Sequence, residues 1–389
     1  MRYRPALVSA LLLLLLGVAC DSTGPTGPDA STVRTVYGPS GLNTARHLTP
    51  LPDGSLLVTG YAEGALGPAD GLDSRPLLLR IGPEGEVADA TVYRDIRYGA
   101  AGGAAPFGDG LAVLVDGERQ DPEAPSRNDA RLYQTDAAGD RAGVLFDAPD
   151  AFLSRQPFVQ TEDGGIVLAL SRTSSDVLVK LTPRGRRAWT TQIPDSQAVT
   201  AVVEARDRAL WILGRRDARR FTLARLTPGG HEQERRVYGA DTLRRAEALT
   251  AVGDGAAVLQ ARSVPETTRE TVVVTRVSDT GAVRWRRTYA AGDLRATSIA
   301  SHPDGGLVFG YTERARPTGD GRGPQRAHVV RLAPDGTVRE RHSFGAPQKD
   351  AAVAVVAVRS DGTLVAAGST GPPDERFRSQ LLVEQYGGK

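Results

Sequence analysis

The residues able to do chemistry in this chain are few and scattered. Five histidines occur, His47, His231, His302, His328 and His342, and no two stand at a spacing that places both on one metal ion. His231-Glu232 opens like a zinc-protease signature, but Arg235 stands where the second histidine belongs. The glycine-flanked serine of a nucleophile elbow, the Ser-x-x-Lys pair and the phosphate loop are all missing from the sequence. Thr318–Gly323 alternates Asp and Gly like a calcium loop, yet it lacks the further carboxylates that would supply six to eight oxygen ligands. No metal or cofactor is therefore expected, and no catalytic residue is assigned. What remains is a set of charged residues in four polar stretches: Asp70, Asp73 and Arg75, then Asp121 and Arg127, then Asp320 and Arg322, then Asp374 and Arg376. Guanidinium forks and carboxylates of this kind serve recognition better than turnover.

Cys20 is the only cysteine, so no internal disulfide can form. It ends a segment with a positive start (Arg2, Arg4), an apolar run over Ala6–Leu16 and the small residues Gly17 and Ala19. That run falls short of the roughly 20 residues a spanning helix needs, and reads as an export signal over 1–19. The position of Cys20 resembles the lipobox of bacterial lipoproteins, with Gly17 where leucine is usual. The resemblance implies cleavage before Cys20 and acylation of its thiol. Residues 20–30, polar and punctuated by Gly and Pro, then form a spacer between lipid and domain. Asp21 follows the cysteine; such an aspartate marks inner-membrane retention in enteric bacteria, whereas other phyla sort differently, so both membranes stay open. With 48 basic and 46 acidic residues, a net charge of +2 and no basic stripe interleaved with aromatics, nucleic acid is not an expected partner. Lysine occurs only at Lys180, Lys349 and Lys389; this arginine bias follows genomic base composition more readily than function.

The elements that must position these residues recur along 31–389. One unit is an Asp-Gly turn before a β-rich run, at Asp53-Gly54, Asp109-Gly110, Asp163-Gly164, Asp254-Gly255, Asp304-Gly305 and Asp361-Gly362, with a degraded copy at Asp207-Arg208. Between apolar runs, Asp-Gly is the strongest short-range hairpin signal, with both turn residues expected at positive φ. About 30 residues on lies a second hairpin whose turn ends in glycine. Gly85, Gly185, Gly230, Gly281 and Gly336 are each followed after eight residues by a large side chain (Tyr93, Ile193, Tyr238, Tyr289, Phe344), and Gly139 after seven by Phe146. Each repeat thus carries four strands, A to D, which is the blade of a β-propeller. The chain ends on a strand C, Leu381–Gln385, while Val33–Gly38 resembles the D strands that end in Tyr238-Gly239 and Phe344-Gly345. The expected fold is all-β: a monomeric seven-bladed propeller of four-stranded antiparallel blades, closed by the N-terminal strand so that no sheet edge stays open.

Asp304–Tyr311 followed by Val329–Gly336 resembles the repeats of bacterial secreted propellers, and Val277–Trp285 looks like the blade motif of pyrroloquinoline-quinone-type propellers. Only Trp189 and Trp285 keep the tryptophan of that motif, against Asp89, Gly143, Glu234 and Glu340 elsewhere, which weakens quinone binding and makes Trp285 a packing residue between blades. The B-to-C connections are long in the first, second and sixth repeats and emerge at the same end as the D-to-A connections; they are either binding loops or tolerated insertions. The expected function is a non-enzymatic binding or scaffold module for protein or glycan, tethered in the cell envelope through Cys20. The alternative is an envelope enzyme on the same scaffold, either a quinoprotein-like oxidoreductase or a polysaccharide-acting hydrolase or lyase.

Overall fold

The computed structural model describes residues 33–38, 43–63, 73–119, 128–172, 175–194, 198–217, 219–239, 244–253, 255–263, 270–315, 323–346, 349–372 and 379–387. Every regular element among them is a β-strand. β1 (Val33–Tyr37) lies apart in sequence from the sheet it joins. The next sheet is β2 (Asn43–Pro50), β3 (Leu56–Glu63), β4 (Ser74–Ile81) and β5 (Val87–Val92); the one after is β6 (Ile96–Phe107), β7 (Gly110–Arg119), β8 (Asn128–Thr135) and β9 (Arg141–Pro149). Then come β10 (Ala151–Gln160), β11 (Ile166–Arg172), β12 (Asp176–Leu181) and β13 (Arg187–Ile193), followed by β14 (Ala198–Glu204), β15 (Leu210–Arg215), β16 (Phe221–Leu226) and β17 (Glu232–Tyr238). These two antiparallel groups are joined by one parallel pairing, Gln156 with Ala201.

β18 (Arg244–Val252), β19 (Gly255–Ser263) and β20 (Glu270–Val277) pair with β21 (Val283–Ser301), a long strand that also begins the sheet of β22 (Leu307–Arg314), β23 (Gln325–Leu332) and β24 (Val338–Phe344). The last sheet has the order β1-β27-β26-β25, from β25 (Asp350–Val358), β26 (Leu364–Gly371) and β27 (Gln380–Tyr386). There the first strand runs antiparallel beside the last, Val33 opposite Gln385 and Tyr37 opposite Leu381.

Apolar cores lie between sheets. Leu56, Val58, Leu77 and Leu79 pack against Val365, Ala367, Leu381 and Val383, so the β2–β5 sheet faces the last one. Ala112, Leu114 and Leu132 likewise meet Ile166, Leu168 and Val179. A sheet covered on both faces needs apolar residues at successive positions, as in parallel sheets. β12 (Asp-Val-Leu-Val-Lys-Leu) is accordingly buried at all of its positions, whereas the outermost β17 has no buried residue.

The Asp-Gly turns are hairpins, but not of the expected kind. At Leu51–Ser55 the Gly54 amide donates to Leu51 O at 3.0 Å and the Leu51 amide to Ser55 O at 2.8 Å, a three-residue loop in which only Gly54 (φ +82°) is left-handed. The same pattern recurs at Gly164, Gly305 and Gly362, and Arg208 adopts it at φ +64°. In the β6–β7 hairpin, Phe107 pairs with Gly110 and the positive φ falls on Gly108 instead. The aspartate caps the turn from within. One of its carboxylate oxygens accepts the amide two residues on, as in Asp163 to Gly165 (3.0 Å) and Asp304 to Gly306 (2.8 Å). The other oxygen takes the basic residue of strand C: Arg80 on Asp53 (2.8 Å), Lys180 on Asp163 (2.6 Å), Arg331 on Asp304 (3.0 Å).

The eight-residue spacing also has a cause. Tyr93, Tyr238 and Tyr289 each donate their hydroxyl to the turn glycine of the following sheet, to the carbonyls of Gly139 (3.1 Å), Gly281 (2.5 Å) and Gly336 (2.7 Å). Trp189 and Trp285 do the same from their indole N–H, to Pro228 O (2.9 Å) and Pro334 O (3.1 Å). Four D strands are stitched to their successors in this way.

Candidate binding site

The opposite end of the sheets, where A strands begin and B strands finish, is irregular. Every innermost strand carries a register shift in its first part: between Ala45 and His47, Ala101 and Gly103, Leu153 and Phe158, Val199 and Ala201, Ala246 and Ala248, Ala296 and Ser298, Val353 and Val355. Bulges of this kind re-aim side chains. The largest shift, in β10, lets Gln156 reach past β14, so that its side-chain oxygen accepts the Leu249 amide of β18 at 2.9 Å.

Three carboxylates lie at this end, Asp73 and Glu247 buried and Asp116 partly so, each beneath an arginine whose side chain is half-exposed. Asp116 of β7 accepts the Ala100 amide at 3.1 Å and the Leu153 amide as well, so that it ties β6 to β10. Burial raises its pKa, and Arg46 of β2, 3.9 Å away, opposes the rise. The close approach of β10 depends on a run of small residues in β6: a Cβ on Gly102 would sit 2.5 Å from Leu153 Cδ1. Glu247 of β18 pairs with Arg155 of β10 and lies 3.6 Å from Arg245, which in turn holds Glu270 at 2.6 Å. Asp73 lies 3.2 Å from Arg97 Nε and 3.5 Å from Arg75, and it accepts the Tyr98 hydroxyl, which raises that phenol's pKa.

Of the charged residues singled out in the sequence, Asp73 and Arg75 are therefore brought together. Both are buried, and Arg75 directs its fork to the carbonyls of Arg94 (2.7 Å) and Ile96 (3.0 Å). Asp70, Asp121, Arg127, Asp320, Arg322, Asp374 and Arg376 lie outside the described residues, as do Cys20 and most of Thr318–Gly323. Arg46, Arg97, Arg155 and Asp116 carry no signal in the sequence, because nothing in one strand's residues marks a bulge whose partner stands on another sheet.

The histidines stay apart. His47 is held well below its ordinary value, to about 4, by burial; its Nδ1 lies 3.3 Å from Thr49 Oγ1, and its ring meets Phe158 edge-on at 6.0 Å. His302 pairs with Asp304 at 2.8 Å, His328 stacks on Tyr311 and His342 on Tyr386. Glu232 is gripped by Arg235 at 2.9 and 2.5 Å rather than poised beside a metal. Among the described residues no group of three or more His, Cys, Asp or Glu side chains is placed to hold a metal ion. No helix among them is long and apolar enough to cross a membrane.

No protein-family model matches the chain, and comparison with curated protein sequences gives no match. Solved structures do. A streptogramin B lyase aligns with 92% of this chain and 98% of its own at a TM-score of 0.54 and 11% identity. Extracellular domains 1–2 of Drosophila Semaphorin 1a align with 93% of this chain and 88% of their own at 0.50 and 10% identity. The fold is that of the β-propeller proteins. At such identities the likeness carries fold alone. One of these structures is named as a lyase and the other as extracellular domains, so activity must be argued from residues.

Proposed function

We propose that this protein is a non-enzymatic binding module of the bacterial cell envelope, tethered by lipid at Cys20, that takes protein or glycan at the irregular end of a seven-bladed ring. In this reading the β1–β27 pairing closes the ring, and the cores between successive sheets, the last meeting the first, are its blade contacts. The observation that carries the reading is the arrangement of the three arginines. Side-chain exposure is 42% for Arg46, 44% for Arg97 and 46% for Arg155, while the carboxylates beneath them, Asp116, Asp73 and Glu247, are exposed by 19, 10 and 6%. An acid held against a guanidinium and backbone amides is a positioning group; it keeps the arginine at a fixed place with its outer donors turned to solvent. A general acid or base would instead need a titratable group facing substrate.

The test uses the full chain expressed in its envelope. Labelled palmitate is expected on the wild type and not on Cys20→Ser, and a wild type without label would remove the anchor. Replacing Arg46 and Arg155 by Gln in the lipidated protein is expected to abolish binding to purified envelope glycan and capture of envelope protein alike, with the unfolding midpoint kept. Binding unchanged by both substitutions overturns the reading.

A further inference from the structure

Two exposed aromatic rings stand beside this arginine set. Among the described residues, the large apolar side chains that remain exposed are seven valines and two aromatics, Tyr98 (59%) and Phe152 (49%). Six of the valines, Val33, Val36, Val87, Val144, Val237 and Val338, lie on strands at the edge of a sheet, and Val283 begins β21. Tyr98 and Phe152 lie instead at the starts of two successive innermost strands, β6 and β10. One carboxylate ties the two strands together near these residues: Asp116 accepts the amide of Ala100, two residues after Tyr98, and that of Leu153, next to Phe152.

Neither ring is a loose surface residue. Tyr98 has φ +49°, in a region that side chains other than glycine rarely enter, and its hydroxyl is tied to Asp73. Phe152 follows Asp150, the second of three non-glycine residues with positive φ, at +56°. Strain held in place by surrounding hydrogen bonds, on backbone that presents an apolar ring to solvent, points to a role outside stability. An exposed ring fixed at its tip also loses little freedom when a ligand stacks on it.

We infer that Tyr98 and Phe152 form a stacking platform for an acidic oligosaccharide, with Arg46 as the fork that takes its carboxylates. The inference rests on the binding reading above and names its ligand class. The flat C–H face of a pyranose suits an exposed aromatic ring, and a planar guanidinium suits a carboxylate in two-point geometry. Single-stranded nucleic acid also stacks on aromatics, but it binds through a field of unneutralised cations. Here Arg46, Arg97 and Arg155 each sit on a carboxylate, in a chain of net charge +2, which leaves little net field.

The test is calorimetric titration of the full lipidated protein in detergent with an oligogalacturonate of six residues, its methyl ester, a neutral cello-oligosaccharide of equal length and oligothymidylate. The acid is expected to bind at least about tenfold more tightly than its ester. Tyr98→Ala and Phe152→Ala are each expected to weaken it about tenfold. Arg46→Gln is expected to remove the preference for acid over ester, and Tyr98→Phe, which keeps the ring, to retain most of the affinity. Thermal unfolding of every variant separates a lost platform from a lost fold. Equal affinity for acid and ester, or tighter binding of oligothymidylate, overturns the inference. If no sugar binds while envelope protein is still captured through Arg46 and Arg155, the inference fails and the binding reading stands; if neither binds, both fail.

Discussion

The two ends of the sheets follow opposite rules. At the turn end, five A-to-B loops repeat one hydrogen-bond pattern, aspartates cap them, and tyrosines and tryptophans stitch four D strands to the sheets that follow. At the other end every inner strand is bulged, two non-glycine residues are held at positive φ, and arginines sit half-exposed over buried carboxylates. Repetition is what stability selects, because each turn solves the same local problem. Irregularity is placed where a surface must differ from its neighbours.

Substitutions at the two ends should therefore separate stability from binding. The largest effect is expected from Asp163→Ala, which removes the acceptor for the Gly165 amide and the Thr161 hydroxyl and leaves Lys180, exposed by only 9%, without its partner. Hydrogen bonds to charged groups contribute about 1.5–3 kcal/mol, so a loss of about 2–3 kcal/mol in urea unfolding is expected, with glycan affinity unchanged. Weakened binding in this variant would break the separation.

Acid should act on the same end. Burial works against ionisation of Asp163 and Asp304, but hydrogen bonds from Lys180, Thr161 and Gly165, and from Gly306, Arg331 and His302, outweigh it and hold both near 2, below the ordinary 3.8. A depressed carboxylate contributes stability that is present above its unfolded value and is lost as pH falls toward the folded one. Urea midpoints should thus drop between pH 3.8 and about 2, and less steeply in Asp304→Asn. His47 and His328, each lowered from 6.5 to about 4 by burial, give an earlier decline over that interval, which His47→Gln should make shallower.

Tyr98→Gly sharpens the contrast further. Relief of its positive φ, about 1 kcal/mol, is offset by loss of the hydroxyl bonded to Asp73, so stability should not rise while sugar binding falls. Arg208→Gly relieves the same strain at the turn end; its exposed pair with Glu162 contributes little, so a gain near 1 kcal/mol with binding unaltered is expected. The smallest effect belongs to the rim, where Val237→Thr should change stability by less than about 0.5 kcal/mol and leave binding alone.

Much of the architecture was legible because its causes are local. Asp53, Asp163, Asp304 and Asp361 mark hairpins through hydrogen bonds to residues two positions away, and the apolar runs that follow them can only be strands covered on both faces. The turn type was less legible: Asp109-Gly110 and Asp53-Gly54 share a dipeptide, but Gly108, one residue earlier, takes the positive φ in the first. The candidate site was legible only in part. Asp73 and Arg75 stood out as charges in a polar stretch, yet Arg75 is buried on backbone carbonyls. Phe152 and Tyr98 gave no signal, since an aromatic in a β-rich repeat is ordinarily core.

Sequence alone determined the strands, their order within each repeat and the aspartate and glycine positions of the turns, because these depend on neighbours a few residues apart. Tertiary structure alone decided that Asp116 gathers amides from two sheets, that Gln156 reaches across β14 to Leu249, and that Tyr98 and Phe152 stay exposed. The reason is physical. A bulge frees a side chain from its own strand's alternation, and where that side chain then ends is fixed only by the packing of strands far away in sequence.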